Sequence, residues 1–134
     1  MSDQPDLSVA VDVRYRPDHS RDGRWLFQYV ITIENRADES WQVLAREWTI
    51  TDGGGRVTQV AGEGVVGQTP VLAPGGVYVY DSFVTLQVAP GRMEGRYRVR
   101  NAWGHEAWAP IPPFVLALPD GVPGGDSGQG RVLN

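Results

Sequence analysis

The 134-residue sequence has no cysteine, no lysine and no apolar run near the roughly 20 residues of a membrane-spanning helix. Without cysteine there can be no disulfide, thiolate metal site, iron–sulfur cluster or cysteine nucleophile. The first 25 residues carry Asp3, Asp6 and Asp12 and no apolar run longer than three, so no signal peptide and no membrane insertion are expected, and a cytoplasmic location is the default. Net charge is −4, opposite in sign to the basic footprint that phosphate neutralisation demands, so nucleic acid is not an expected partner. All twelve basic residues are Arg. A uniform Arg-for-Lys usage reads as genome composition rather than as twelve bidentate anion sites.

Catalytic groups are equally sparse. Of the two histidines, His19 falls in a polar connection and His105 in the Trp103-Gly104-His105 turn, without the i, i+3 or i+4 partners of a transition-metal site. No series of oxygen ligands resembles a calcium loop, although Asp52, Glu63 and Asp81 could hold a hard cation weakly. The six serines stand in no GxSxG elbow and no Ser, His, Asp set. The reading is a non-enzyme with no metal site and no cofactor.

What the chain does have is punctuation. Seventeen Gly and ten Pro separate segments that alternate with period two rather than 3.6, which predicts strands and no amphipathic helix. Strands are expected at Leu7 to Tyr15, Trp25 to Asn35, Trp41 to Thr51, Arg56 to Val60, Val77 to Val84, around Arg96 to Arg100, and at Phe114 to Pro119. In the third, Leu44, Trp48 and Ile50 share one face with Arg46, so Arg46 lies at a rim or a bulge changes the register. In the fifth, Tyr78 and Tyr80 occupy one face and Val79, Asp81 and Phe83 the other. Arg96, Arg98 and Arg100 alternate with Tyr97 and Val99, which reads as a charged outer face first and an anionic partner's landing strip second. Near Ala107 to Ile111, Pro110, Pro112 and Pro113 break the pattern and exclude a central ladder position.

Seven to eight short strands predict an all-β fold, an immunoglobulin/fibronectin III-like antiparallel β-sandwich whose core the thirteen aromatic residues would fill. The single domain spans 1–120, and the Gly-rich stretch 121–134 reads as a flexible tail.

Gly62-Glu63-Gly64-Val65-Val66-Gly67 matches the GxGxxG pattern of dinucleotide-binding loops. That fingerprint grips pyrophosphate only at the start of a helix. Here β-branched residues, Gly67 and Pro70 follow, so the expected structure is a glycine loop or bulged strand. Were it to bind an anion, Arg56 is the nearby cation, with Arg46 a second.

The run from Trp25 to Pro119 resembles the ApaG family. The resemblance rests on Phe27-Gln-Tyr29, Thr32-Ile33-Glu-Asn35, Arg46-Glu-Trp48 with Asp52-Gly-Gly-Gly-Arg56, and above all on Val60-Ala-Gly62-Glu-Gly64-Val-Val-Gly67-Gln-Thr-Pro70 with Leu72-Ala-Pro74-Gly75. Tyr78-Val-Tyr80-Asp-Ser82, Gly91-Arg-Met93-Glu-Gly95-Arg-Tyr97 and Ile111-Pro112-Pro-Phe114 complete it. It implies a fibronectin III-like sandwich. It also implies a link to cobalt tolerance and magnesium efflux for bacterial members, also called CorD, and a protein-binding role for eukaryotic relatives. The expectation is a non-enzymatic domain presenting loops and an edge strand to an unidentified protein partner. Its candidate contacts are Gly62, Gly64, Gly67, Arg46, Arg56, Trp103 and Trp108. The alternative is an accessory protein that weakly binds a small anion, pyrophosphate or a nucleotide polyphosphate, using Arg56 and the amides of Gly62 to Gly67.

Overall fold

From Trp25 to Asn35 the alternation becomes burial: Phe27, Tyr29, Ile31, Ile33 and Asn35 are almost completely shielded, while their neighbours in sequence are only partly covered. The computed structural model describes residues 4–20 and 23–119. It has eight strands: β1 (Leu7–Tyr15), β2 (Trp25–Asn35), β3 (Trp41–Thr51), β4 (Val57–Glu63), β5 (Val71–Leu72), β6 (Val77–Leu86), β7 (Gly91–Asn101) and β8 (Glu106–Leu116). A three-residue 3-10 turn, Pro17–His19, is the only helical element among the described residues. The segment 121–134 lies outside them.

All pairings are antiparallel. One sheet has the order β1-β2-β6; the other has β4-β3-β7-β8, with β5 adding to β3 beyond β4. The two face each other as the expected immunoglobulin/fibronectin III-like sandwich. Between them Trp48 meets Tyr29 edge-on at 5.6 Å and Phe114 at 5.9 Å, arrangements favoured by the ring quadrupoles. Trp41, Phe27 and Tyr97 are fully buried, and each such side chain contributes roughly 1.5–3 kcal/mol before ordering entropy is set against it. The aromatics do not all go inside, however. Trp103 is 80% exposed, Phe83 54% and Trp108 42%.

Five elements differ from the sequence reading, two of them only in length: β6 runs on from Val84 to Leu86, and β7 extends from Gly91 to Asn101 rather than only around Arg96 to Arg100. The strand expected at Arg56 to Val60 runs on to Glu63, and β5 was not foreseen; both are fastened by the ladder of β3 rather than by their own alternation. The last two expected segments are one strand, β8, continuing through Pro110, Pro112 and Pro113. It is an edge strand, where a missing N–H can face solvent, and Pro112 and Pro113 together oppose the single Glu94 of β7 in a bulge. In β3 a bulge also settles the Arg46 question. Val43 and Ala45 pair with consecutive residues of β7, leaving Leu44 as the extra residue. Trp41 and Val43 therefore face inward before it, and Arg46, Trp48 and Ile50 after it.

The sandwich is asymmetric at its sides. β1 lies against β8 and closes one side, whereas no comparable contact joins β6 to β4 on the other.

Candidate functional site

β4 and β5 pair with the same edge of β3, and the chain between them, 64–70, leaves that edge opposite the Leu44 bulge. Gly64 N–H donates to Leu44 O (2.7 Å) and Val43 N–H to Pro70 O (2.9 Å), pinning both ends. Between them Val65 and Gln68 exchange backbone hydrogen bonds of 2.7 and 3.2 Å. Val66 (φ 51°) and Gly67 (φ 80°) form the tip, the pair of positive φ values that a type I′ turn requires. Val65 is fully buried and anchors the hairpin. The amides of Gly64, Val65 and Gln68 are thus occupied by the protein's own carbonyls, and no helix follows Gly67 among the described residues. The motif folds as the expected glycine loop.

Arg46 is the strut of this loop. Its guanidinium lies over Gly62, its partner across the ladder, so close that a Cβ there would sit 2.8 Å from Nη1. Nη1 donates to the carbonyls of Glu63 (3.0 Å) and Gly64 (3.1 Å). The inner face beside it is phenolic. Tyr80 and Tyr97 share a 2.5 Å hydrogen bond between their hydroxyls. Burial pushes the Tyr80 hydroxyl up to about 12, and burial with the neighbouring Tyr80 pushes Tyr97 up as well. Tyr29 is raised by burial, with Ser82 and Arg46 opposing. These hydroxyls stay neutral at ordinary pH and act as structural hydrogen-bonding groups.

Three of the sequence-derived candidates converge. Arg46, Gly62 and Trp108 line a groove of about 460 Å³ floored by Ala45 and Ala61 and flanked by Arg98 and Glu63. The Arg96 guanidinium stacks 3.7 Å above the Trp108 ring while holding Glu47 at 2.9 Å. Gly64 and Gly67 belong to the neighbouring hairpin. Trp103 stands apart in the β7–β8 turn, organised by Asn101, whose Oδ1 accepts from the amides of Trp103 and His105. Arg56 is separated from the glycines by the length of β4, roughly 20 Å at the rise of an extended strand. The constellation of Arg56 with the amides of Gly62 to Gly67 is therefore not formed. Instead Arg56 meets Arg24 across a cleft of about 270 Å³ bordered by Thr58, Thr85 and Gln87.

The open side holds the residues that the sequence reading missed. β6 is ten residues long and bonded only to β2. Beside its free edge Val77, Val79 and Phe83 face outward, each more than half exposed. Val60 of β4 shares the inward parity of Trp48 yet remains 41% exposed, because the smaller sheet stops at β6 and does not cover it.

A family model described as the ApaG domain matches residues 15–101. The chain belongs to the ApaG family. Among its relatives, Protein ApaG of Deinococcus radiodurans is 54% identical over all 134 residues of both chains. Protein ApaG of Pseudomonas paraeruginosa is 45% identical over 122 residues, 89% of this chain and 97% of that one. The crystal structure of a Bordetella pertussis protein assigned the name ApaA superposes with a TM-score of 0.83 at 41% identity, covering 87% of this chain and 96% of that one.

Within this ApaG domain, no three His, Asp or Glu side chains among the described residues gather where a metal ion could sit, and no described helix is long and apolar enough to cross a membrane. The clue to its open edge was present in the ApaG sequence. From Val77 to Phe83 both parities carry large apolar side chains, tyrosines inside and Val77, Val79 and Phe83 outside around the single Asp81, close to the pattern of a strand covered on two faces.

Proposed function

We propose that this ApaG-family domain is a non-enzymatic protein-interaction module that takes an extended segment of a partner protein as an additional strand along β6. The observation that carries the reading is the free ten-residue edge of β6, unbroken by proline or bulge and flanked by exposed Val79 and Phe83. Strand addition draws affinity from main-chain hydrogen bonds and specificity from alternate side chains, and β6 supplies both. The other edges are less receptive: β8 carries three prolines, β4 and β5 are interrupted by the hairpin, and β1 leans on β8. The neutral, hydrogen-bonded tyrosines favour a structural interior over acid–base chemistry. A part in cobalt or magnesium homeostasis would be exercised through the captured protein.

Panning a displayed library of random octapeptides on the full chain tests this. Enriched peptides with alternating apolar residues, shifting backbone amides of Val77–Leu86, are the expected result. The double variant Val79→Lys, Phe83→Lys alters only exposed side chains and should weaken those peptides about tenfold or more. Failure to enrich any peptide, or shifts confined to the Trp108 groove, would overturn the reading.

A further inference from the structure

The open side has two chemically different ends, and their placement specifies the segment that fits. Tyr29 pairs with Ser82 in one sheet and packs on Trp48 of the other, and Trp48 pairs with Val60. Ser82 and the exposed Val60 therefore stand at one level, facing each other across the gap. Toward the end of β6 the gap changes character: Thr85, Leu86 and Gln87 face Arg56 and Thr58, with Arg24 alongside. Among the described residues the Arg24 side chain makes no ion pair or hydrogen bond, and the Arg56 side chain makes only a 3.3 Å contact to Gln87 Oε1. The single carboxylate lining this cleft, Asp52, spends Oδ1 on the amides of Gly54 and Arg56 (2.9 Å each). By contrast five other arginines are paired with carboxylates. Two neighbouring cations with no ion-paired carboxylate among the described residues lie at the end of a free edge.

Resting on the strand-capture reading, we infer that the captured segment runs antiparallel to β6 and begins with an acidic side chain seated between Arg24 and Arg56. Antiparallel pairing is the only kind among the described strands and is the more stable per residue. In that orientation the segment's first residue stands beside Leu86 and points inward, over the arginines. Its fifth stands beside Ser82 and points onto Val60, so it is apolar. Its fourth and eighth lie outside, beside Phe83 and Val79, and are apolar too. Its sixth lies outside beside Asp81, where a basic residue is complementary.

The peptide Glu-Thr-Thr-Val-Val-Lys-Thr-Val meets every condition. Its charge-swapped isomer Lys-Thr-Thr-Val-Val-Glu-Thr-Val keeps composition, length and apolar pattern. Titrating both into the full chain, followed by fluorescence anisotropy and backbone amide shifts, is the test. The Glu-first peptide should bind at least about fivefold tighter at low salt, with the preference shrinking as salt screens exposed charges. Amide shifts are expected along Val77–Leu86 and at Arg24 and Arg56. The variant Arg24→Gln, Arg56→Gln should cut the preference to the part that Asp81 supplies, about twofold or less, while leaving the charge-swapped peptide's affinity unchanged or higher.

Equal binding of both peptides on β6 would overturn the acidic-end inference and leave strand capture standing. No binding by either, together with no library binder, would overturn both. Saturable binding of inorganic pyrophosphate at Arg24 and Arg56 without competition by the peptides would assign the cleft to a small anion and overturn the inference. So would a dimer seen by sedimentation and dissolved by Val79→Lys, Phe83→Lys, since the occupant would then be a second copy of the chain.

Discussion

Val66 is the one described residue other than glycine with positive φ, at 51°, and it is β-branched, the class least suited to that region. It is also 57% exposed, so its side chain gives little packing in return for the strain. Gly64 shows the opposite balance. Its φ is 65° and a Cβ would stand 2.4 Å from the Gln68 carbonyl oxygen, a backbone atom that cannot step aside without breaking the hairpin. Gly67 has φ 80° but open space around it. Urea unfolding should therefore rank three single variants. Val66→Asn, which creates the Asn-Gly pair favoured in type I′ turns, should stabilise by about 0.5–1 kcal/mol. Gly67→Ala should cost about 1 kcal/mol for φ alone, and Gly64→Ala about 2–4 kcal/mol for φ and collision together. A Gly64→Ala protein as stable as Gly67→Ala would show that Gln68 is not held where the hairpin places it.

Strands were the most readable part of the sequence because alternation is a local signal. β1, β2 and β3 coincide with their expected bounds at both ends. What escaped was whatever depended on a neighbour. β5 has two residues and no pattern of its own, and it exists because Trp41 and Gln42 of β3 offer a ladder. The prolines of β8 rightly excluded a central ladder position, yet they read as a break between two segments, because sequence alone does not say that an edge strand can run on through them. Of the candidate site, the convergence of Arg46, Gly62 and Trp108 follows from one register, whereas joining Arg56 to the glycine loop mistook nearness in sequence for nearness along a strand. The prolines of β8 have an edge-protecting consequence of their own. Replacing Pro110, Pro112 and Pro113 together by Thr restores backbone N–H donors to β8 and converts a blunted edge into a better template. Sedimentation velocity should then show concentration-dependent association beyond that of the parent chain. An unchanged distribution would mean that the bulge opposite Glu94, not the prolines, keeps that edge unpaired.

The two sheets are joined mainly by apolar burial, with two buried polar links between them among the described residues: Asn35 Nδ2 donates to Leu72 O, and the Tyr80–Tyr97 bond joins Tyr80 of the smaller sheet to Tyr97 of the larger. Both hydroxyls are raised above the ordinary tyrosine value of 10.0, Tyr80 to about 12. In the window from about pH 10 to 12 the unfolded chain has released protons that the folded one retains. The unfolded state then binds fewer protons, and stability falls as pH rises. The contribution is whole below pH 10 and is lost on approach to 12. At neutral pH the same pair predicts an inequality between variants. Tyr97→Phe leaves the Tyr80 hydroxyl buried without its partner, costing about 1–3 kcal/mol, and Tyr80→Phe does the converse. Tyr80→Phe, Tyr97→Phe removes donor and acceptor together while conserving most of the volume, and should cost less than either single change. Urea unfolding at pH 7 and at pH 11 reads both effects: the double variant should lose part of the alkaline fall. If the double variant costs the sum of the singles, each hydroxyl is satisfied by something other than its partner, and the Tyr80–Tyr97 bond does not couple the two sheets.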